Sequence, residues 1–500
     1  MADNNQSYPL PSPRLLGTRR RYEDSKKYKW ALILGLTGAG LVLLFFFAHW
    51  SIVLVGAVLV LALAGFGNEL LLLCVVFLLP VSWSLGPQGS RHDVPTAVHC
   101  LLIGGFLLGR FWGGQLRIRG LLSSSIARAS LVLFATILLS IVLGKSGWTR
   151  SSAHGSYTLA SYVGFFFLIL VWVDSRERVE KVLTVLLYST LATAAFAIVQ
   201  ELIGGYSSFW LYLNPQDENM TWWDGRAPSF LNYSNCLAGY LNLVLPFALA
   251  CLVCGTGKWR KLGGWTLALG VLALLSTQSI GGLLGFAASM TLAVFCFVQR
   301  RKRRLVLLAG VFASLCLLYA LRSILNPAHS YQVFGIDAVT RLLLWGTAWG
   351  YFVHSPILGV GWGNFSTLYG ADLSSYDWIE PGILDVNNTY LKFLADTGIL
   401  GFIAFAYFVI QSWRIAWRQW RSSSAFLDRA LAFGVLGALV SVLAHGLVDV
   451  LIQVSPQFGT LLWVLLALLV VVSRLPGTPL APGRGSLPRM TTLNAEVAAR

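Results

Sequence analysis

Charged side chains are scarce in this chain, and their scarcity excludes a soluble globular protein. Of 500 residues, 12% are Asp, Glu, Lys or Arg and 56% are hydrophobic, whereas soluble domains carry about 25% charged residues. Apolar runs of about 17 to 25 residues, the length that crosses a hydrocarbon core of about 30 Å, recur along the chain. The sequence therefore predicts a polytopic membrane protein with no separate soluble domain.

Cysteine is also sparse, and its placement argues against a disulfide framework. The seven cysteines fall mostly inside or at the ends of apolar runs, where a thiol packs as a small hydrophobe: Cys74, Cys100, Cys236, Cys251, Cys254, Cys296 and Cys316. Cys251 and Cys254 form a C-x-x-C motif, but no second Cys or His cluster stands near them in the sequence. We expect packing roles for these thiols, and neither a metal nor a cofactor.

Acidic residues are outnumbered by basic ones, 21 to 37, and the formal net charge at pH 7 is +16. In a soluble protein this balance would suggest nucleic acid as a partner. Here Lys and Arg occupy short loops between apolar runs, which is the positive-inside distribution of a membrane protein. Anionic lipid headgroups are therefore the expected counter-charge, and no nucleic-acid partner is predicted.

About fourteen apolar runs are long enough to span a membrane. They lie near residues 30–48, 51–67, 69–86, 95–112, 129–145, 158–173, 182–204, 233–254, 263–278, 281–298, 305–322, 387–411, 425–447 and 457–474. The loops that alternation assigns to one side carry the Lys and Arg residues, so both termini are predicted to be cytoplasmic. The predicted fold class is all-α, a polytopic bundle of transmembrane helices.

Three polar stretches interrupt or flank these runs. Residues 1–28 and 476–500 are predicted to be disordered cytoplasmic tails on either side of a transmembrane domain at 29–475. Within that domain, the loop at 323–386 is predicted to be extracytoplasmic. Its amphipathic run at 339–351 predicts a helix on the outer face, and a loop of about sixty residues between such short neighbours is usually functional.

The end of this loop and the helix after it carry a recognisable pattern. The pattern opens with RLLLWGTAWGYFVHSPILGVGWGNF at Arg341 and closes with DVNNTYLKFLADTGILG at Gly401. The arginine, the tryptophan, the Gly-rich segment Gly359–Gly363 and the Asn-Asn pair ahead of a G-x-x-G helix together resemble the O-antigen ligase and O-antigen polymerase family. The resemblance covers roughly residues 180–475 and is concentrated here.

The resemblance implies both a fold and an activity. The fold would be that of the all-helical, multi-pass GT-C glycosyltransferases. The activity would be transfer or polymerisation of a glycan from an undecaprenyl-diphosphate donor to a glycan or lipid acceptor, at the outer face of a bacterial inner membrane. Three alternatives stay open: a relative that binds lipid-linked glycan without catalysis, a transporter, and a structural subunit of a membrane complex.

Arg341 lies on the side of the membrane where the positive-inside rule does not explain a cation. A guanidinium group can bind a pyrophosphate bidentately, and the resemblance implies that role for the donor diphosphate. The alternative is an interfacial arginine that reaches lipid headgroups. Trp345 and His354, further along the same run, are additional candidates for substrate binding.

Two more motifs resemble the family, and one of them departs from it. Arg226 lies in WWDGRAPSFLNYSNCLAGYLNLVLP, just before an apolar helix, and either binds substrate or belongs to an interfacial loop. The family's Thr-x-Ser-Arg-Gly run corresponds to Thr277–Gly281, where Ile280 replaces the arginine. Donor binding would then depend on other cations, or on the amide of Gln278 and the hydroxyl of Ser279.

The largest departure is at the ligase histidine, whose place the resemblance gives to Asn387, with Asn388 next to it. An imidazole can accept a proton from a hydroxyl at neutral pH, and an asparagine amide cannot. If the chain is an active transferase, another group must act as the base. The same loop offers His329, His354, Asp372, Asp377, Glu380 and Asp385. Asp385 is the carboxylate nearest in sequence, although loop carboxylates are often only solvated.

His445 and Asp449 stand at the outer end of the penultimate predicted span. Their spacing of four residues places both side chains on one helix face. Ionisable groups at membrane depth are costly and are therefore often functional. The pair either binds substrate, as the resemblance implies, or forms a structural hydrogen-bonded pair.

Overall fold

The computed structural model describes residues 69–81, 84–85, 92–93, 103–105, 121–203, 226–231, 233–298, 302, 310, 329–372 and 385–475. The chain divides into two compact units, Met1–Val75 with Trp83–Leu121, and Val76–Ser82 with Leu122–Arg500. Both predicted tails lie outside the described residues. So do the predicted spans at 30–48 and 51–67, and nearly all of the one at 305–322.

One predicted span is wrong in its extent. Residues 69–86 were expected to cross the membrane, but helix α1, Glu69–Phe77, has nine residues. Such a helix rises about 14 Å, half of a bilayer core. A turn that contains Pro80 follows it, because proline cannot continue a helix. Further on, the two-residue strands β1, Ser84–Leu85, and β2, His92–Asp93, pair antiparallel.

The second unit is built from helices, which follow a short 3-10 turn at Leu121–Ser123. They are α2 Ser125–Leu143, α3 Arg150–Trp172, α4 Arg176–Ile203, α5 Ser234–Cys254, α6 Gly257–Ser276, α7 Ile280–Phe297, α8 His329–His354, α9 Phe365–Asp372, α10 Thr389–Ser422, α11 Phe426–His445, α12 Leu451–Val454 and α13 Pro456–Arg474. Among the described residues, eight helices are long and apolar enough to cross a membrane: α2, α3, α4, α5, α7, α10, α11 and α13. The predicted all-helical, polytopic fold class is confirmed.

The centre of this unit is formed by α13, α5 and α11, whose apolar stretches are the most deeply buried. Trp463 of α13 stacks on Phe408 of α10 (5.0 Å between ring centroids) and packs against Tyr162 of α3 (5.6 Å). Between α5 and α11, Gly434 and Gly437 lie directly against Phe247 and Pro246. Small residues that let helices approach closely are the usual packing device inside a bilayer, where lipid tails are as apolar as the side chains.

The described loops gather at two opposite ends of the bundle. At one end, which we call the basic end, Arg176 forms a bidentate ion pair with the buried Asp428 (2.6 and 3.0 Å), and Arg474 bonds to Ser123 (3.1 Å). Trp259, after the loop between α5 and α6, packs against Phe426 at the start of α11. These contacts place the basic loops together, as the alternation predicts.

The opposite end, which we call the motif end, holds the loops that carry the family-like residues. They are residues 144–149, 226–231, 233, 277–279, 355–364, 385–388 and 446–455. Here α8 contains the predicted amphipathic helix at 339–351 and extends beyond it in both directions. The described part of the long loop therefore consists mostly of helix.

Helix α10 is two helices joined at Gly398, where the backbone leaves the helical region (φ 63°, ψ −165°). The predicted span at 387–411 starts within two residues of this helix, which continues to Ser422. Residues 389–397 form a short helix at the motif end, and the continuous helix that follows extends to Ser422 at the basic end. The break has a packing cause, since Gly398 abuts the loop after α8.

Candidate functional site

The Gly-rich segment and the G-x-x-G helix pack backbone to backbone. Three hydrogen bonds of 2.8–2.9 Å join them, from the N–H groups of Val360, Gly361 and Ile399 to the carbonyls of Ala395, Asp396 and Pro356. Gly359 and Gly398 both have positive φ, at 68° and 63°, a conformation that costs side-chain-bearing residues energy. A Cβ at either position would also overlap the facing backbone. These motif glycines therefore hold the framework of the motif end.

Gly398→Ala is expected to lower thermal stability without a specific effect on chemistry. Left-handed strain costs about 1 to 3 kcal/mol, and the added methyl would overlap the carbonyl of Ile357. The unfolding midpoint in detergent should therefore fall by several degrees. Gly346→Ala in α8 is the matched control, because a Cβ there meets nothing within 4 Å and alanine favours helix. Equal midpoints for both variants would contradict this account.

Asp396 fastens the Gly-rich segment to α10. Its side chain has no exposed surface. One carboxylate oxygen accepts the N–H of Gly363 (2.9 Å) and the other accepts the N–H of Phe365 (3.1 Å). The carboxylate thus fixes the turn that begins α9.

Lys392 connects Asp396 to Asp385, the carboxylate that the sequence singles out. Its side chain is 1% exposed, and its Nζ lies 3.0 Å from Asp385 Oδ1 and 3.2 Å from Asp396 Oδ2. The ammonium also stands over the ring of Phe365, 5.4 Å from the centroid. The sequence analysis missed Lys392 and Asp396. A Lys and an Asp four residues apart at the start of an apolar helix were the available signal.

Asn387 and Asn388 have different surroundings. Asn387 has a left-handed backbone, with φ 50°. The side-chain oxygen of Asn388 caps α10 by accepting the N–H groups of Tyr390 and Leu391 (both 3.0 Å), and its Nδ2 donates to Leu447 (3.0 Å). Asn388 therefore acts as a helix cap that also ties α10 to the turn after α11.

That turn, residues 446–449, accepts hydrogen bonds from α10 and from α8. Thr389 donates its N–H to the carbonyl of Gly446 and its hydroxyl to the carbonyl of Asp449 (both 2.8 Å). From α8, Arg341 donates a guanidinium N–H to the carbonyl of Val448. The structure thus brings Arg341 to the turn that carries Asp449, beside the start of α10.

His445 and Asp449 form a buried imidazole–carboxylate pair. Nε2 of His445 lies 3.7 Å from Asp449 Oδ2, and the two side chains are 2% and 8% exposed. Within the described residues, neither ring nitrogen has a hydrogen-bond partner. Burial alone would raise the pKa of Asp449, but the imidazole of His445, the N–H of Val450 and the guanidinium of Arg341 together hold that pKa below its usual value.

The turn between α6 and α7 adjoins both this pair and Arg226. Gln278 has φ 48°, and the hydroxyl of Ser279 caps α7 by accepting the N–H of Gly282 (3.1 Å). A Cβ at Gly281 would lie 2.7 Å from Nε2 of His445, so the glycine makes room for the imidazole. Next to Arg226, the N–H of Ala227 donates to the carbonyl of Ser276 (3.2 Å).

Left-handed backbone outside glycine is confined, in the part of the chain that the structure describes, to Ser229, Gln278 and Asn387. Each lies in one of the three family-like motifs. Non-glycine residues with positive φ carry a steric cost and concentrate at functional sites. The coincidence supports the motif end as the functional region.

The remaining sequence candidates are scattered. Trp345 packs against a buried apolar cluster that joins α8, α9 and α10: Leu344, Ala348, Phe365, Tyr369, Val386 and Ala395. His354 is exposed and its Nδ1 lies 2.7 Å from the carbonyl of Gly350. It follows Arg341 by thirteen residues, about 20 Å along α8, so the structure does not bring the two together. Glu380 and Asp377 lie outside the described residues.

The two candidate carboxylates, Asp385 and Asp449, both act electrostatically on Tyr233. The pKa of its phenol is raised well above the usual value, first by loss of hydration and then by Cys236 and the carboxylates of Asp449 and Asp385. Asp385, Asp449 and the start of α5 are therefore electrostatic neighbours. In the described ranges, no three His, Cys, Asp or Glu residues come together as a metal site.

A comparison with protein families matches this part of the chain. Residues 265–406 match the family model Wzy_C, described as O-antigen ligase. The matched stretch contains α7, α8, the Gly-rich segment and the start of α10, so the resemblance predicted from the motifs is confirmed over these residues. No curated protein matches the chain.

Proposed function

We propose, from the O-antigen ligase domain that this membrane protein carries at residues 265–406, that it transfers or polymerises a glycan from an undecaprenyl-diphosphate donor. The observation that carries the proposal is the assembly of the family motifs at the motif end. There, Arg341 supplies a cation, and Asp385 and Asp449 supply carboxylates around Tyr233. We place this end at the outer face of a bacterial inner membrane.

Arg341 is the proposed ligand of the donor diphosphate. A guanidinium has five N–H donors in a planar fork, and the bond to Val448 uses one of its nitrogens. That bond orients the group and leaves donors for phosphate oxygens. Gln278 and Ser279 of the α6–α7 turn, and Arg226, whose neighbour Ala227 bonds to Ser276 at the end of α6, are proposed to assist in place of the arginine that Ile280 replaces.

Asp385 is the proposed general base. It would take the proton of an acceptor hydroxyl while that oxygen attacks the anomeric carbon and the diphosphate leaves with the electrons of the broken bond. A single displacement inverts the anomeric centre. Positive charge near the leaving diphosphate would stabilise the developing negative charge. Glu380 is the alternative base, and Asn387 is proposed to orient the acceptor by hydrogen bonds, because both ends of the Asn388 side chain hold the start of α10.

Side chains around this centre are proposed to bind the rest of the substrate. They are Trp345, His445 and Asp449, with His354 more distant. A polymerase is favoured over a ligase, because Asn387 stands where the ligases carry a histidine. The acceptor would then be a glycan.

The test is to incubate purified, reconstituted protein with a panel of undecaprenyl-diphosphate oligosaccharides and to search for elongated or transferred glycan. Product that requires both protein and lipid-linked donor is the expected result. A second candidate, a relative that binds the lipid-linked glycan without catalysis, is favoured by Asn387 and Ile280. Donor binding without any product across the panel would select it.

The orientation gives a separate prediction. If the motif end is extracytoplasmic, as the positive-inside rule indicates, a cysteine at Thr367 in a cysteine-free background should react with an impermeant thiol reagent in intact cells. A cysteine at Ser422, which is also exposed but lies at the basic end, should react only after lysis. The reverse pattern would overturn the orientation and the proposed outer-face reaction.

A further inference from the structure

Lys392 occupies a position that membrane proteins rarely give to a lysine. It belongs to the first segment of α10, is 1% exposed, and lies within 3.2 Å of both Asp385 and Asp396. Burying an ammonium group is unfavourable unless its charge is compensated. Two carboxylates and the face of Phe365 provide that compensation.

The two carboxylates differ in how their oxygens are used. Both oxygens of Asp396 accept backbone N–H groups, from Gly363 and Phe365, so this side chain is a fixed anchor. In Asp385, the contacts that the structure describes all fall on Oδ1, which faces Lys392 (3.0 Å) and accepts the N–H of Val386 (2.8 Å). The Asp385 side chain is 23% exposed.

We propose that Lys392 is the positioning residue for the base of the transfer reaction. Anchored on Asp396, its ammonium holds Oδ1 of Asp385 and leaves Oδ2 to face the acceptor. The inference rests on the proposed function. In the step itself the acceptor proton moves to Oδ2, the acceptor oxygen bonds to the anomeric carbon, and the carbon–oxygen bond to the diphosphate breaks. Lys392 exchanges no proton in this step.

The role predicts a kinetic signature that a purely structural lysine would lack. Without the ammonium, Oδ1 of Asp385 loses the contact that orients it, so kcat should fall while donor binding is kept. A packing defect alone would instead lower protein stability.

Lys392→Gln removes the charge but keeps a hydrogen-bond donor. In the reconstituted enzyme we expect kcat to fall at least about 10-fold and the KM for the donor to stay within about 2-fold. Lys181→Gln is the matched control, because Lys181 pairs with Glu177 in an exposed position at the basic end. Wild-type kcat in a well-folded Lys392→Gln protein would overturn the proposal.

A second measurement does not need turnover. In a cysteine-free background, Asp385→Cys places a thiol beside Lys392, and the pH midpoint of its alkylation by iodoacetamide reports the local charge. The alkylation midpoint should lie at lower pH in the Asp385→Cys protein that retains Lys392 than in the one that also carries Lys392→Gln. Equal midpoints would overturn the placement of Lys392. A midpoint that differs between the two proteins would confirm the contact between Lys392 and residue 385. If the wild type nevertheless forms no glycan product, the catalytic role of Lys392 and the proposed function are both wrong.

Discussion

Arg341→Ala is expected to abolish glycan transfer, with kcat/KM reduced by at least about 10², the usual cost of deleting a donor that stabilises transition-state charge. The variant removes the proposed diphosphate ligand from the motif end. Arg341→Lys should restore activity only in part, because an ammonium keeps the charge but lacks the planar fork. The measurement is transfer from the lipid-linked donor by each reconstituted variant at equal protein.

The bond between Arg341 and Val448 makes a structural effect the main competing explanation. Arg341→Gln keeps a polar side chain but carries no charge, so it should fold and remain inactive. Arg150→Ala removes an exposed arginine at the start of α3, also at the motif end, and should transfer glycan normally. Full activity in a well-folded Arg341→Ala protein would remove this residue from the mechanism.

Asp385→Asn is expected to lower the rate by about 10² to 10⁴, the usual contribution of general-base catalysis. The change is nearly isosteric. Lys392 keeps Asp396 as a charged partner at 3.2 Å, so the variant should fold. The measurement is the rate of transfer from the lipid-linked donor by the reconstituted variant, compared with the wild type at equal protein.

Three comparisons make the Asp385 experiment decisive. Asn387→Ala should cost less, since an asparagine can only orient the acceptor. Asp174→Asn alters an exposed carboxylate at the basic end and should have no effect. If Glu380→Gln shows the large loss and Asp385→Asn does not, the base is Glu380, and the proposal that Lys392 acts through Asp385 is wrong.

Much of the fold is predictable from the sequence, because length and hydropathy alone define a transmembrane helix. The predicted spans at 233–254 and 457–474 coincide with α5 and α13 to within one residue. The errors arise where local chemistry interrupts an apolar run. A turn at Pro80 follows the short α1, and the contact of Gly398 with the loop after α8 breaks α10, which hydropathy cannot detect.

The candidate site is less predictable, because it depends on contacts between distant segments. Motif reasoning singles out Arg341, His445 and Asp449, and the structure brings them to one turn. It also treats Asn388 as a catalytic candidate, whereas the structure uses both ends of that side chain to cap and tie α10. The spacing of Lys392 and Asp396 signals a paired lysine, but it shows neither that the pair is buried nor that Asp385, which precedes the helix, joins it.

The most direct test of the proposed transfer is to determine which glycosidic linkage the wild-type protein forms. Purified protein should be incubated with an undecaprenyl-diphosphate oligosaccharide of known anomeric configuration, and the new glycosidic bond analysed by NMR. The account predicts an elongated or transferred glycan with inverted configuration, together with an equal amount of free undecaprenyl diphosphate. No product across a panel of donors, combined with donor binding that Arg341→Ala abolishes, would contradict transfer and leave a binding protein. Product with retained configuration would contradict the single displacement.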